Sequence, residues 1–226
     1  MHLKAQKILN ISREYLSSAP VWRLSGVTYA SAVLATRGAL LTPADYVDRS
    51  RFQMKRLPII WSDSRVLEFG CGLGGNLLAV SSAIREGVGV DINPGYLRIA
   101  RALCRASRVN NLQFDEINAP LEDRVGNFDV VLSIGVFERI PKARVAQCVS
   151  DLVGLTRAGG DLALYFLSTL ARGTDFTRLL GGAAYQYWPQ EEVLGLVRSV
   201  GCRIRSVIDW PSADHHTADM YVISKS

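Results

Sequence analysis

Glu68, Gly70, Gly72 and Asp91 are the residues whose types and spacing point most directly to chemistry, and that chemistry is the holding of a nucleoside. They lie in VLEFGCGLGGN (66–76) and in VGVDINP, which ends at Pro94. Gly70, Gly72, Gly74 and Gly75 allow the backbone to turn sharply and to come close to a ligand. A helix opening at Gly75 and including Asn76 would present unpaired amides at its start. Asp91 stands 19 residues after Gly72, at the end of a second apolar run, where a carboxylate can accept both hydroxyls of a ribose. Gly70, Gly72 and Gly75 satisfy GxGxxG, a pattern that by itself is weak evidence for a dinucleotide. Glu68 argues against a pyrophosphate, because like charges repel in a low-dielectric cleft. A ligand carrying a cationic amino group suits it better.

The elements that must position these residues follow from apolar runs and helix signals. Strands are expected at 65–69, 88–91, 112–115, 129–133 and 161–167, with helices at 75–85, 94–107 and 142–156. Such alternation implies a parallel sheet covered on both faces. A helix over 189–200 stops at Gly201, and strands at 203–209 and 220–224 close the chain. Their short connection excludes a crossover, so they pair antiparallel. The expectation is a doubly wound, Rossmann-like α/β fold with a mostly parallel seven-stranded sheet ending in an antiparallel hairpin. Residues 1–60 read as an N-terminal helical cap and 61–226 as the ligand-binding domain.

Composition narrows the function classes. At 226 residues, 48% hydrophobic and 21% charged, the chain is an ordinary globular domain able to bury a large core. Cys71, Cys104, Cys148 and Cys202 make no metal-type spacing, so no metal site is expected. No signal peptide is evident at the start, and the longest uncharged stretch near it is 13 residues (24–36), too short to span a bilayer. A cytoplasmic location is expected. The net charge of +5 is uneven: nine Lys/Arg face three Asp/Glu in residues 1–60, against seventeen and eighteen in the remainder. That leaves peripheral contact with an acidic membrane surface, or an anionic acceptor, open.

The acid-x-Gly-x-Gly turn of Glu68, Gly70 and Gly72, followed by Asp91, resembles the class I S-adenosylmethionine-dependent methyltransferases from about Ser64 to Ser226. The resemblance implies S-adenosyl-L-methionine as cofactor, held by Glu68, Gly70, Cys71, Gly72, Asn76, Asp91, Ile92, Asn118, Ala119, Ser133 and Ile134. Asn118 stands where family members often place an Asp for the adenine amine, and an Asn oxygen accepts from it equally well. In SIGVFERIP (133–141), Glu138 is the one acid, and Arg139 stands where similar loops often carry His. Glu138 is a candidate catalytic residue, as is His215 in the hairpin tip.

The acceptor pocket is expected to draw on Tyr46 and Arg51, on Tyr185, Tyr187 and Trp188 in a lid-like segment, and on His216. The fourth strand is not followed by an Asn/Asp-Pro-Pro-aromatic motif or a nucleophilic cysteine, so nucleic acid is not favoured; a small molecule is the expected acceptor. Arg98, Arg101, Arg105 and Arg108 stripe one helix at spacings of three and four and read as a solvated face. A nicotinamide oxidoreductase, a non-catalytic cofactor-binding module and an aminopropyltransferase stay open, as do monomer and homodimer.

Overall fold

The computed structural model describes residues 43–117, 127–169, 186–211 and 217–225. Its seven strands form one sheet in the order β3-β2-β1-β4-β5-β7-β6, the mixed, mostly parallel arrangement expected from the sequence. Residues up to Leu121 and residues from Glu122 onward fall largely into two compact units.

The first unit holds α1 (Pro43–Met54), β1 (Arg65–Phe69), α2 (Gly75–Val80), β2 (Glu86–Asp91), α3 (Pro94–Ala106) and β3 (Leu112–Glu116). Proline supplies the first residue of α1 and of α3, where its missing N–H costs nothing. The three strands pair in parallel, Leu67 with Val88 and Gly89 with Phe114. Both faces are buried, so β1 and β2 are nearly continuous apolar runs. Two helices differ from expectation. The helix after the glycine turn was expected to reach Arg85 but ends at Val80, where the Ser81 hydroxyl donates to the Leu78 carbonyl and the chain turns. On α3, Leu97, Ala100 and Cys104 are buried. Arg101 of the arginine stripe is not merely solvated: its guanidinium donates to the Phe114 carbonyl, from Nε at 3.0 Å, tying α3 to β3.

The second unit holds β4 (Phe128–Ser133), a single 3-10 turn (Phe137–Arg139), α4 (Lys142–Leu155), β5 (Thr156–Thr169), α5 (Gln190–Ser199), β6 (Cys202–Pro211) and β7 (Thr217–Lys225). β4 and β5 are parallel; β7 runs antiparallel to both β5 and β6. Thr156, expected as the last helical residue, instead begins β5. Its hydroxyl donates back to the Leu152 carbonyl at 2.9 Å. A register shift in the β4–β5 pairing follows it, and Gly159 there has φ 69°. The core of this unit is aromatic: Phe166 stacks on Phe137 at 5.1 Å and meets the edges of Trp188 and Tyr221 at 5.4 and 5.8 Å.

Candidate functional site

The carboxyl ends of β1 and β2 are built around two acids. Gly70 and Cys71 both donate to the Val90 carbonyl, at 2.8 and 3.0 Å, which anchors the start of the turn to β2. Positive φ at Gly70 (76°), Gly72 (53°) and Gly74 (75°) then lets the chain double back into α2. This geometry aims the Gly72 amide at Asp91 Oδ2, 2.8 Å away, while Asn93 N donates to Oδ1 at 2.8 Å. The Asn93 side chain in turn caps α3, accepting from the amides of Gly95 and Tyr96. Asp91 is therefore held rigidly, each oxygen fixed by a backbone donor. A carboxylate oxygen has lone pairs beyond one such bond, so it can also accept ligand hydroxyls. Ile92 follows, half-buried.

Glu68 is the more unusual of the two acids. It is 1% exposed, with Oε1 accepting from the Asn76 side-chain amide at 2.6 Å. Oε2 is buried and, among the described residues, has no hydrogen-bond partner. Burial, helped by the neighbouring Asp91 charge, pushes its pKa up to about 8, against the opposing pull of the Asn76 amide and the Leu77 backbone. The Cys71 thiol beside it is raised well above its ordinary value, by burial first and then by the two carboxylates. No Cβ atom would meet anything within 4 Å at Gly72. An orphaned buried carboxylate oxygen, a rigid second carboxylate and open space over a glycine are what a polyhydroxylated, amino-bearing ligand requires.

In the second unit, β4 ends on Ser133, fully buried, its hydroxyl without a partner among the described residues. Ile134 and Gly135 (φ 74°) turn the chain into the 3-10 segment. Glu138 is 5% exposed; its Oε1 lies 3.6 Å from Arg139 Nε and its Oε2 has no partner among the described residues. Burial raises its pKa, and the Arg139 charge opposes the rise. The Gln186 amide donates to the Glu138 carbonyl at 2.7 Å and the Trp188 amide to the Leu167 carbonyl at 2.8 Å. Tyr187 is thus pinned between two anchored neighbours.

A family model described as a methyltransferase domain matches residues 67–162. That span runs from β1 through the glycine turn and Asp91 into β5. Over those residues the chain is similar to that methyltransferase domain. Solved structures agree in fold. The magnesium protoporphyrin IX methyltransferase ChlM from Synechocystis PCC 6803 with bound SAH is 18% identical, with TM-score 0.63, covering 80% of this chain and 82% of that one. The [4+2]-cyclase SpnF is 15% identical, with TM-score 0.64, covering 79% and 80%. Among curated proteins, the uncharacterized protein RP789 of Rickettsia prowazekii is 34% identical over 83 residues. That match spans 35% of this chain and only 15% of the relative's length.

The expected site residues fall into three groups by position. Glu68, Gly70, Cys71, Gly72, Asn76, Asp91 and Ile92 are brought together at the ends of β1 and β2. Ser133, Ile134 and Glu138 gather at the end of β4. Asn118, Ala119, Tyr185, His215 and His216 lie outside the described residues, as does the part of the N-terminal cap before Pro43; Tyr46 is in α1, its side chain outside the description. Arg51 is exposed and ion-paired to Asp48 within α1. Trp188, expected to line an acceptor pocket, is 5% exposed and packs in the aromatic core, with Lys142 over its ring.

Sequence reasoning overlooked Asn93, which both donates to Asp91 and caps α3; the Asn-Pro pair that opens a helix was the available signal. Tyr221, also unmarked in its apolar strand, is buried against Phe166, its hydroxyl without a partner among the described residues. Among the described residues no cluster of three or more His, Cys, Asp or Glu could hold a metal. Among them, too, no helix is long and apolar enough to cross a membrane.

Proposed function

We propose that the chain is an enzyme that transfers a methyl group from S-adenosyl-L-methionine to a small-molecule acceptor. The observation that carries this reading is the pairing of Glu68, with one orphaned oxygen, and Asp91, fixed by Gly72 and Asn93. When bound, the cofactor supplies a methyl group on a sulfonium, already strongly electrophilic. The chain's own task is alignment. Asp91 would take the ribose hydroxyls and Glu68 the amino group, with Asn76 holding Glu68 in place. Gly70, Cys71, Gly72 and Ile92 would form the wall along the ligand, and Asn118 with Ala119 would receive the adenine. Ser133 and Ile134 complete the proposed cofactor residues.

On the acceptor side, Glu138 or His215 would take the acceptor's proton where one must leave. Tyr46, Arg51, Tyr185, Tyr187 and His216 would shape the pocket, with Trp188 behind them in the aromatic core. Holding the two reactants in line contributes about 7–11 kcal/mol in favourable cases, so a strong base is not required. The basic first 60 residues favour an anionic or lipid-like acceptor.

A second reading, a cofactor-binding module without methyl transfer, draws on Arg139, whose guanidinium stands 3.6 Å from the one acid of its loop and does not deprotonate. That a [4+2]-cyclase shares the fold is a reminder that the fold does not fix the reaction.

Calorimetry with S-adenosyl-L-methionine, S-adenosylhomocysteine and NAD tests the first reading. Both sulfur ligands should bind wild type at micromolar concentrations and NAD should not. Asp91→Ala should weaken them at least tenfold, the scale of charge-assisted hydrogen bonds. A folded protein that binds neither sulfur ligand would sink the methyltransferase reading.

A further inference from the structure

We infer that Glu68 is a proton-linked reader of the ligand's amino group: it is protonated in the empty site and gives up its proton when a cationic amine enters. This rests on the cofactor reading above and deepens it. The geometry leaves little alternative for the empty state. A carboxylate that is 1% exposed, with a single side-chain amide on Oε1 and nothing on Oε2, bears most of the cost of a buried charge. Among the described residues, the groups acting on it do not supply a counter-charge. Asp91 of β2 adds a like charge; Cys71 of the turn is neutral, its own thiol raised; α2 contributes only the Asn76 amide and the Leu77 backbone. Arg101 of α3 acts on Cys71, not on Glu68, and donates to the Phe114 carbonyl. The elevated pKa of about 8 agrees with this arrangement.

An ammonium group placed at Oε2 reverses the balance. It supplies a hydrogen-bond donor and the missing positive charge, so the ionised carboxylate becomes the stable form. The O–H bond of Glu68 breaks, its electron pair stays on the carboxylate, and the proton leaves to solvent. Binding is then pH-dependent in a defined direction. Affinity rises by up to tenfold per pH unit below about pH 7.5, then falls again where the ligand's own ammonium, with an ordinary pKa of about 7.7–8.0, loses its proton. The same device discriminates among ligands, since a nucleoside without the amino group offers nothing to release the proton and encounters a neutral acid.

The test is calorimetry at pH 6.5 in three buffers of different protonation enthalpy, which counts protons released per ligand bound. The probes are S-adenosyl-L-methionine, S-adenosylhomocysteine and 5′-methylthioadenosine, against wild type and Glu68→Gln. Close to one proton should leave wild type with each of the first two ligands and almost none with the third. Glu68→Gln should release almost none with any of them. The ligands' own amines titrate identically against both proteins, so the difference isolates Glu68. Equal proton release from wild type and variant, or release with 5′-methylthioadenosine, would overturn the inference while leaving the cofactor reading intact. Binding of no ligand in any buffer would overturn that reading, and this inference with it.

Discussion

At the scale of single residues, the glycine turn divides its tasks in a way the sequence could not resolve. Four glycines in six residues announce a tight turn, but not which glycine serves the protein and which serves a ligand. A Cβ on Gly74 would sit 2.6 Å from the Phe114 ring and 3.2 Å from Ala100, at φ 75°. Strain at that φ costs about 1–2 kcal/mol for a non-glycine residue, and overpacking adds about 1–3 kcal/mol. Gly74→Ala should therefore lose about 2–5 kcal/mol of stability in urea denaturation. A Cβ on Gly72 meets no atom within 4 Å, so Gly72→Ala should lose only the backbone part, with a larger effect on ligand affinity than on stability. Equal destabilisation by the two would show that Phe114 yields freely. The acids were legible as types and spacing. Their states were not, because orphaned oxygens and amide donors depend on how distant parts of the chain meet.

At the scale of elements, strands were read well because buried parallel strands are apolar runs with little competition from other patterns. Boundaries moved where local hydrogen bonding intervened, as with Ser81 ending α2 early and Thr156 leaving α4 for β5. The function of Trp188 moved too. An aromatic residue beside a glycine-rich segment suggests a ligand wall, whereas here it packs edge-on against Phe166, which also holds Phe137 and Tyr221. Phe166 is fully buried and joins β5 to the turn that carries Glu138. Phe166→Ala should cost about 3–5 kcal/mol, measured by urea unfolding. It should also release the segment around Gln186 and Trp188, seen as faster amide exchange at both of their N–H groups. A cost below about 1 kcal/mol would mean the aromatic cluster is not what anchors that turn.

For the molecule as a whole, two buried glutamates tie stability to pH with a sign opposite to that of ordinary surface carboxylates. Glu68 and Glu138 are both raised by burial, Glu68 from 4.5 to about 8. Between those values the folded chain keeps a proton that the unfolded chain has lost, so folding takes up protons. The stability linked to Glu68 is whole below about pH 4.5 and declines as pH rises toward 8, by about 1.4 kcal/mol per pH unit; Glu138 acts in the same direction. For a chain of this length that corresponds to about 3–6 °C in Tm per unit. Other groups titrate over the same range, so the discriminating quantity is the difference between wild type and Glu68→Gln, which mimics the protonated form. The two should melt together near pH 5, with the variant ahead by a growing margin up to pH 7.5. Saturating S-adenosyl-L-methionine should narrow that margin from the wild-type side, because the ligand removes the need for the proton and stabilises only the state that binds it. A constant margin across pH, with or without ligand, would mean that Glu68 is ionised in the folded chain and draws a counter-charge from elsewhere.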